Sequence, residues 1–170
     1  EWPEDIRMHY DPGLDYYREK LYFDVEFHKY LQYKFTQQWI KLKKYANDKH
    51  IQIIGDIPIY VSPDGADVWA NPELFELDEQ NLPDRIAGCP PDSFNADGQV
   101  WGNPLYRWQY HQQTGYQWWV TRMWYSHKIY DVVRIDHFRG FDEYFAIPVS
   151  SGLAKDGQWE KGPGIELFNV

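Results

Sequence analysis

The chain has 170 residues, enough for one ordinary domain or a slice of a larger barrel, and its formal charge of −9 (17 basic against 26 acidic side chains) is not accompanied by a basic stripe. That balance argues against a nucleic-acid partner, and the lack of an apolar run of about 18 residues argues against a membrane span. A single Cys89 excludes an internal disulfide and fits a reducing cytoplasm.

Aromatic side chains make up 19% of the sequence, with nine Trp and fourteen Tyr. Rings with polar handles suit a large core, and they equally suit a sugar site, where a flat ring stacks on the C–H face of a pyranose. Composition alone favours the core. The chain opens at Glu1 without Met and closes on Leu167-Phe168-Asn169-Val170, which reads as a fragment cut within an element.

Residues 1–14, with Trp2-Pro3 and Asp11-Pro12-Gly13, read as an irregular lead-in. From Tyr16 to about Asp48, Leu21, Val25, His28, Leu31, Phe35, Trp39, Leu42 and Ala46 recur at steps of three and four, predicting one long amphipathic helix or two. Lys41, Lys43, Lys44 and Lys49 near its end read as a solvated face that complements the helix dipole. A β-branched run from Ile51 to Val61 follows and predicts a buried strand carrying Asp56 near its C-terminal end.

Residues Ser62 to about Tyr116 form an insertion too long for a plain connection. Asn71-Pro72-Glu73 predicts a helix start with a capping Asn, and Asp97-Gly98 predicts a turn. Trp101-Gly102-Asn103-Pro104-Leu105-Tyr106 sets two rings and an amide within six residues, as either a stacking lid or a self-anchored loop. Helical spacing returns from Thr114 to Tyr130 through Trp119, Met123 and His127, predicted to face the core. Gly152 to Gly164 reads as irregular.

The stretch Asp131-Val132-Val133-Arg134-Ile135-Asp136-His137-Phe138-Arg139-Gly140 carries the chemistry. Val132, Val133 and Ile135 predict a strand buried on both faces, and helix-then-strand occurring twice predicts α/β units with a parallel sheet. Arg134 and Asp136, two apart, then share one face, with the guanidinium holding the carboxylate ionised. That arrangement builds a nucleophile or merely closes a strand with an ion pair. Asp56 could converge with Asp136 from a second strand end, or could simply cap a turn.

Other chemistries lack their signatures. Six His and one Cys show no metal-ligand spacing, no Gly-rich phosphate loop is present, and Cys89 has no base beside it, so neither a metal nor a cofactor is expected. His137 could donate to a sugar hydroxyl or pack behind Asp136. Carboxylates in an aromatic cleft leave glycosyl transfer as the reaction class.

Val133 to Gly140, together with Gly55-Asp56-Ile57-Pro58-Ile59-Tyr60-Val61, Ala66-Asp67-Val68-Trp69, Gly88-Cys89-Pro90-Pro91-Asp92 and Trp101 to Tyr106, resembles the 4-α-glucanotransferases (amylomaltases, disproportionating enzymes) of the α-amylase superfamily. The resemblance implies that residues 1–170 are part of one catalytic (β/α)8 barrel, containing about its third and fourth strands. Residues 62–116 would be an inserted region covering the active site. It implies Asp136 as the retaining nucleophile, Arg134 as the residue orienting it, and Asp56 as a carboxylate binding hydroxyls beside the scissile bond. Phe94, Trp101 and Asn103 would belong to the covering loop, and the partners would be maltooligosaccharides or α-1,4-glucans. The family's general-acid Glu and stabilising Asp would fall beyond Val170. Ser93, often aromatic in relatives, departs from the pattern. A glucan hydrolase and a non-catalytic sugar-binding module are the alternatives.

Overall fold

The computed structural model describes residues 2–170. Three helices open the chain: α1 (Glu4–Arg7), α2 (Asp11–Lys20) and α3 (Tyr22–Asp48). Asp11-Pro12 therefore starts a helix inside the stretch expected to be irregular, because Pro in the first turn loses no intrahelical bond and Asp complements the dipole. The long periodic segment divides at Leu21.

Then follow β1 (Ile54–Pro58), α4 (Ala66–Ala70), a 3-10 turn at Pro72–Leu74, β2 (Arg85–Cys89), β3 (Gln99–Pro104), α5 (Trp108–Gln113) and α6 (Gln117–Ile129). The Asn71-Pro72 start yields that short turn and no α-helix. Asn71 makes no side-chain cap, and its Nδ2 reaches back to the Asp67 carbonyl at 3.3 Å. The chain closes with β4 (Val132–Asp136), β5 (Glu143–Pro148), β6 (Gln158–Lys161) and 3-10 turns at Phe138–Phe141, Ala154–Asp156 and Gly164–Asn169. β6 corrects the irregular reading of 152–164: Trp159 sits opposite Phe145 and Glu160 opposite Tyr144.

Two compact units emerge. Among the described residues, the first comprises residues 2–56 and 123–134, the second residues 57–122 and 135–170. In the first unit, α3 has no buried residue; Leu21, Val25, Leu31, Phe35 and Leu42 are all exposed, so its predicted apolar stripe is uncovered. Only its C-terminal half is pinned. Trp39 Nε1 donates to the Ile129 carbonyl at 2.8 Å, and its ring meets Tyr130 edge-on. Lys43, expected in solvent, instead donates to the Tyr130 carbonyl at 2.9 Å and pairs with Asp131 at 3.4 Å. Asp131 also accepts from Asn47 and from the Ile53 amide, which holds its carboxyl below the usual range. Gly55 lies under the Tyr130 ring, where a Cβ would come within 2.0 Å of a ring carbon.

Strands β1 and β4 pair. The Ile53 carbonyl accepts from the amides of Asp131 and Val132 at one end, and the Ile59 amide donates to the Asp136 carbonyl at the other, so the strands run parallel as expected. The expected double burial fails. Val132 is 43% exposed and β4 alternates exposed and half-buried residues, because no further strand flanks this pair among the described residues.

The second unit holds an antiparallel sheet in the order β3-β2-β5-β6. Its core gathers the rings of Phe75, Tyr106, Trp119 and Phe141 around Ile59, Leu105 and Ala146. Trp119 is buried as predicted, whereas His127 is exposed and turns its Nδ1 to the Met123 carbonyl one turn back. Across the sheet, Arg85 bridges Glu76 and Glu160, and Tyr144 donates to Glu160 at 2.9 Å. The aromatic composition is thus only partly core: Phe75, Tyr106, Trp119 and Phe141 are buried, whereas rings along α3 such as Phe23, Phe27, Tyr30, Tyr33 and Phe35 are exposed.

Candidate active site

Asp136 is the last residue of β4, at the end where the chain leaves the sheet, while Asp56 is the third of the five residues of β1. In the first unit, Arg134 Nη1 donates to Asp56 Oδ2 at 2.5 Å. Both side chains are more than half exposed, so this charge-assisted bond orients more than it stabilises. The sequence spacing placed Arg134 with Asp136; its bond to Asp56, 78 residues away in the chain, was not anticipated.

In the second unit, the chain turns sharply after Asp136. His137 adopts a left-handed backbone (φ 54, ψ 42), which starts the 3-10 turn at Phe138–Phe141. A non-glycine residue there carries roughly 1–3 kcal/mol of strain, sustained only where the surroundings enforce it. They do so through ring packing. Trp101 meets His137 edge-on with centroids 4.8 Å apart, and Tyr60 lies 6.3 Å from His137 and 6.2 Å from Trp101. Gly140 closes the turn with its amide on the His137 carbonyl, where a Cβ would stand 2.9 Å from Ile59 and 3.2 Å from the His137 ring.

Burial lowers the His137 pKa, outweighing the opposing pull of Asp136, so the imidazole is neutral at pH 7. Its Nε2 is shielded and has no partner among the described residues. An imidazole in that state can meet a hydroxyl as donor or acceptor, depending on its tautomer. Trp101 is itself oriented by a 2.9 Å bond from its indole nitrogen to Gln99.

The other predicted residues divide. Asn103 commits its amide nitrogen to the Val61 carbonyl at 2.8 Å, which ties β3 to the segment after β1. Phe94 stands 98% exposed at the head of the loop between β2 and β3. That loop is stiffened from within: Asp92 Oδ1 accepts from the amides of Phe94 and Asn95 at 2.8 and 2.7 Å. The Asp97-Gly98 turn forms as expected, with Gly98 at φ +71. Burial raises the Cys89 pKa, which favours the protonated thiol.

Tyr60 is the contact residue that sequence reasoning missed. It is buried, stacks on Tyr106 at 6.0 Å and forms the floor on which Trp101 and His137 meet. Its position two residues beyond the end of β1 was the available signal.

A family model described as 4-alpha-glucanotransferase matches residues 1–170, the whole chain. The chain belongs to the 4-alpha-glucanotransferase family. A 4-alpha-glucanotransferase of Streptococcus pneumoniae is 53% identical over 169 residues, which cover 99% of this chain and 34% of that protein. The chloroplastic/amyloplastic 4-alpha-glucanotransferase of Solanum tuberosum is 41% identical over 172 residues, covering 100% of this chain and 30% of the relative. Among solved structures, the amylomaltase from Streptococcus agalactiae in complex with acarbose superposes with a TM-score of 0.96 at 49% identity, over 99% of this chain and 34% of that one. The chain thus spans 34% of the length of the bacterial 4-alpha-glucanotransferase it matches.

Proposed function

We propose that this chain is part of a 4-α-glucanotransferase that transfers α-1,4-glucan segments between maltooligosaccharides by a retaining double displacement. The observation that carries the reading is Asp136: an exposed carboxylate ending a strand that runs parallel to β1, beside a rigid aromatic and imidazole corner. Strand C-terminal ends are where a (β/α)8 barrel does its chemistry. Residues 1–170 then contribute about the third and fourth strands of such a barrel, β1 and β4, and residues 62–116 the excursion over its mouth. The match of the whole chain to the family supports this.

In the proposed mechanism an Asp136 carboxylate oxygen attacks the anomeric carbon and forms a glycosyl ester, while the glycosidic bond breaks and the leaving oxygen takes a proton from a general acid outside these residues. The two carboxyls of such a pair stand about 5–5.5 Å apart. A second sugar hydroxyl, giving its proton to the conjugate base of that acid, then attacks the anomeric carbon, and the bond to Asp136 breaks to return the free carboxylate. Arg134 orients the Asp136 carboxylate, and Asp56, which accepts from Arg134, binds hydroxyls of the sugar beside the scissile bond. His137 and Trp101 serve the sugar beside the scissile bond, with Phe94 on the loop between β2 and β3 and Asn103 within β3 as parts of the covering region. Transfer outcompetes hydrolysis when water is excluded and the acceptor is held in line.

The test is Asp136→Asn in the intact parent enzyme. Transfer from maltotriose should fall by at least about 10³-fold, because an amide cannot form the ester, while maltotriose binding persists. A variant that still redistributes chain lengths at more than a few per cent of the parent rate would overturn the assignment.

A further inference from the structure

Arg122 belongs to α6, yet its guanidinium works at the end of β1. Its Nη2 donates to the Pro58 carbonyl at 2.8 Å and its Nη1 to the Ile59 carbonyl at 3.1 Å. Two consecutive carbonyls are thereby gripped by one planar fork, which a lysine ammonium could not match. The fork is held in turn. Its carbon lies 5.2 and 5.0 Å from the ring centroids of Trp118 and Trp119, and the Tyr106 hydroxyl joins it on the Ile59 carbonyl at 2.6 Å. Ile59, Tyr106 and Trp119 are all nearly solvent-free, so the bonds on the Ile59 carbonyl form where water competes little, while the bond to the Pro58 carbonyl is open to solvent.

The Pro58 carbonyl and the Ile59 amide are the two ends of one peptide group. That amide donates to the carbonyl of Asp136 at 3.3 Å. A chain of hydrogen bonds therefore runs from the Arg122 guanidinium through a single peptide plane to the backbone of Asp136, each bond polarising the next. The accepting carbonyl belongs to the peptide between Asp136 and His137, where the chain passes from extended to left-handed. Fixing that plane fixes the direction in which the Asp136 side chain leaves the backbone.

We propose that Arg122 is a positioning residue for Asp136, acting through the Pro58–Ile59 peptide. The inference rests on the reading of Asp136 as nucleophile. Neither the sequence pattern nor the resemblance singles out Arg122, which lies in a helix among aromatic residues. A misplacement on the order of 1 Å transmitted from outside the reacting centre is enough to cost about 10²-fold in rate.

The experiment uses the intact parent enzyme with Arg122→Lys, Arg122→Met and Tyr106→Phe, with Asp136→Asn as control. Three quantities are read: the single-turnover rate of glycosylation by α-maltotriosyl fluoride, the Kd for maltotriose, and the thermal midpoint. Arg122→Met should slow glycosylation by about 10–100-fold with Kd changed less than about twofold, and Arg122→Lys should recover part of the loss. Tyr106→Phe, which leaves the bond to Pro58 in place, should stay within about threefold of the parent. Lysine is the deciding variant if methionine does not fold. A glycosylation rate at the parent level in folded Arg122→Lys, or a loss matched by an equal weakening of Kd, would overturn the proposal. If Asp136→Asn itself keeps its rate, the underlying reading fails; if it is silent while the Arg122 variants are normal, only this inference fails.

Discussion

Trp101 is held from two sides, by Gln99 at its indole nitrogen and by the edge-on His137 ring, so its indole face is presented in one orientation. Replacing it by Ala in the parent enzyme should weaken acceptor use by about 1–3 kcal/mol, the scale of one buried apolar side chain, and raise the share of hydrolysis. An unchanged ratio of transfer products to glucose would leave Trp101 as a packing residue of β3. At this scale the sequence was informative where neighbours in space are neighbours in the chain: Asp136 was legible as the end of a strand with His137 beside it, whereas the Trp101 motif, expected as a loop, lies largely in β3. Contacts between distant segments were not legible. Arg134 on Asp56 and Lys43 on Tyr130 join residues 78 and 87 positions apart, and side-chain parity along one strand says nothing about partners on another.

Among the elements, α5 carries a second testable device. His111 is fully buried, with Nε2 3.1 Å from the Leu74 carbonyl, and since a carbonyl only accepts, that nitrogen bears the proton. Nδ1 has no partner, and the rings of Tyr106, Trp108 and Trp118 surround the imidazole. Burial lowers its pKa from 6.5 to about 4. Between those values the unfolded chain binds a proton that the folded one refuses, so stability falls as the pH drops from 6.5 and levels off below about 4. The contribution is on the order of 3 kcal/mol. His111→Gln, which keeps a donor for Leu74 but does not titrate, should flatten the pH dependence of the intact protein's unfolding by that amount; profiles of equal slope would refute the assignment. Element reading succeeded for long periodic segments, α3 and α6, and for β1 and β4. It failed for β6, whose four residues between Gly-rich flanks show too little alternation, and for α2, whose Asp-Pro-Gly start reads equally as a turn.

For the molecule as a whole, the chain spans about a third of its bacterial relative, which explains where local reading and structure part. Patterns that predict burial, the stripe of α3 and the apolar residues of β4, describe surfaces that stand open here, while the aromatic cluster of the second unit is buried. The account therefore turns on one covalent bond in the parent enzyme. A fluorosugar analogue of the donor, whose fluoride leaves without an acid and whose ester hydrolyses slowly, should accumulate on the nucleophile when no acceptor is present. Digestion and mass spectrometry should find the glycosyl label on the peptide carrying Asp136, and lose it in Asp136→Asn. A label on any other carboxylate, Asp56 included, would contradict the account at its centre.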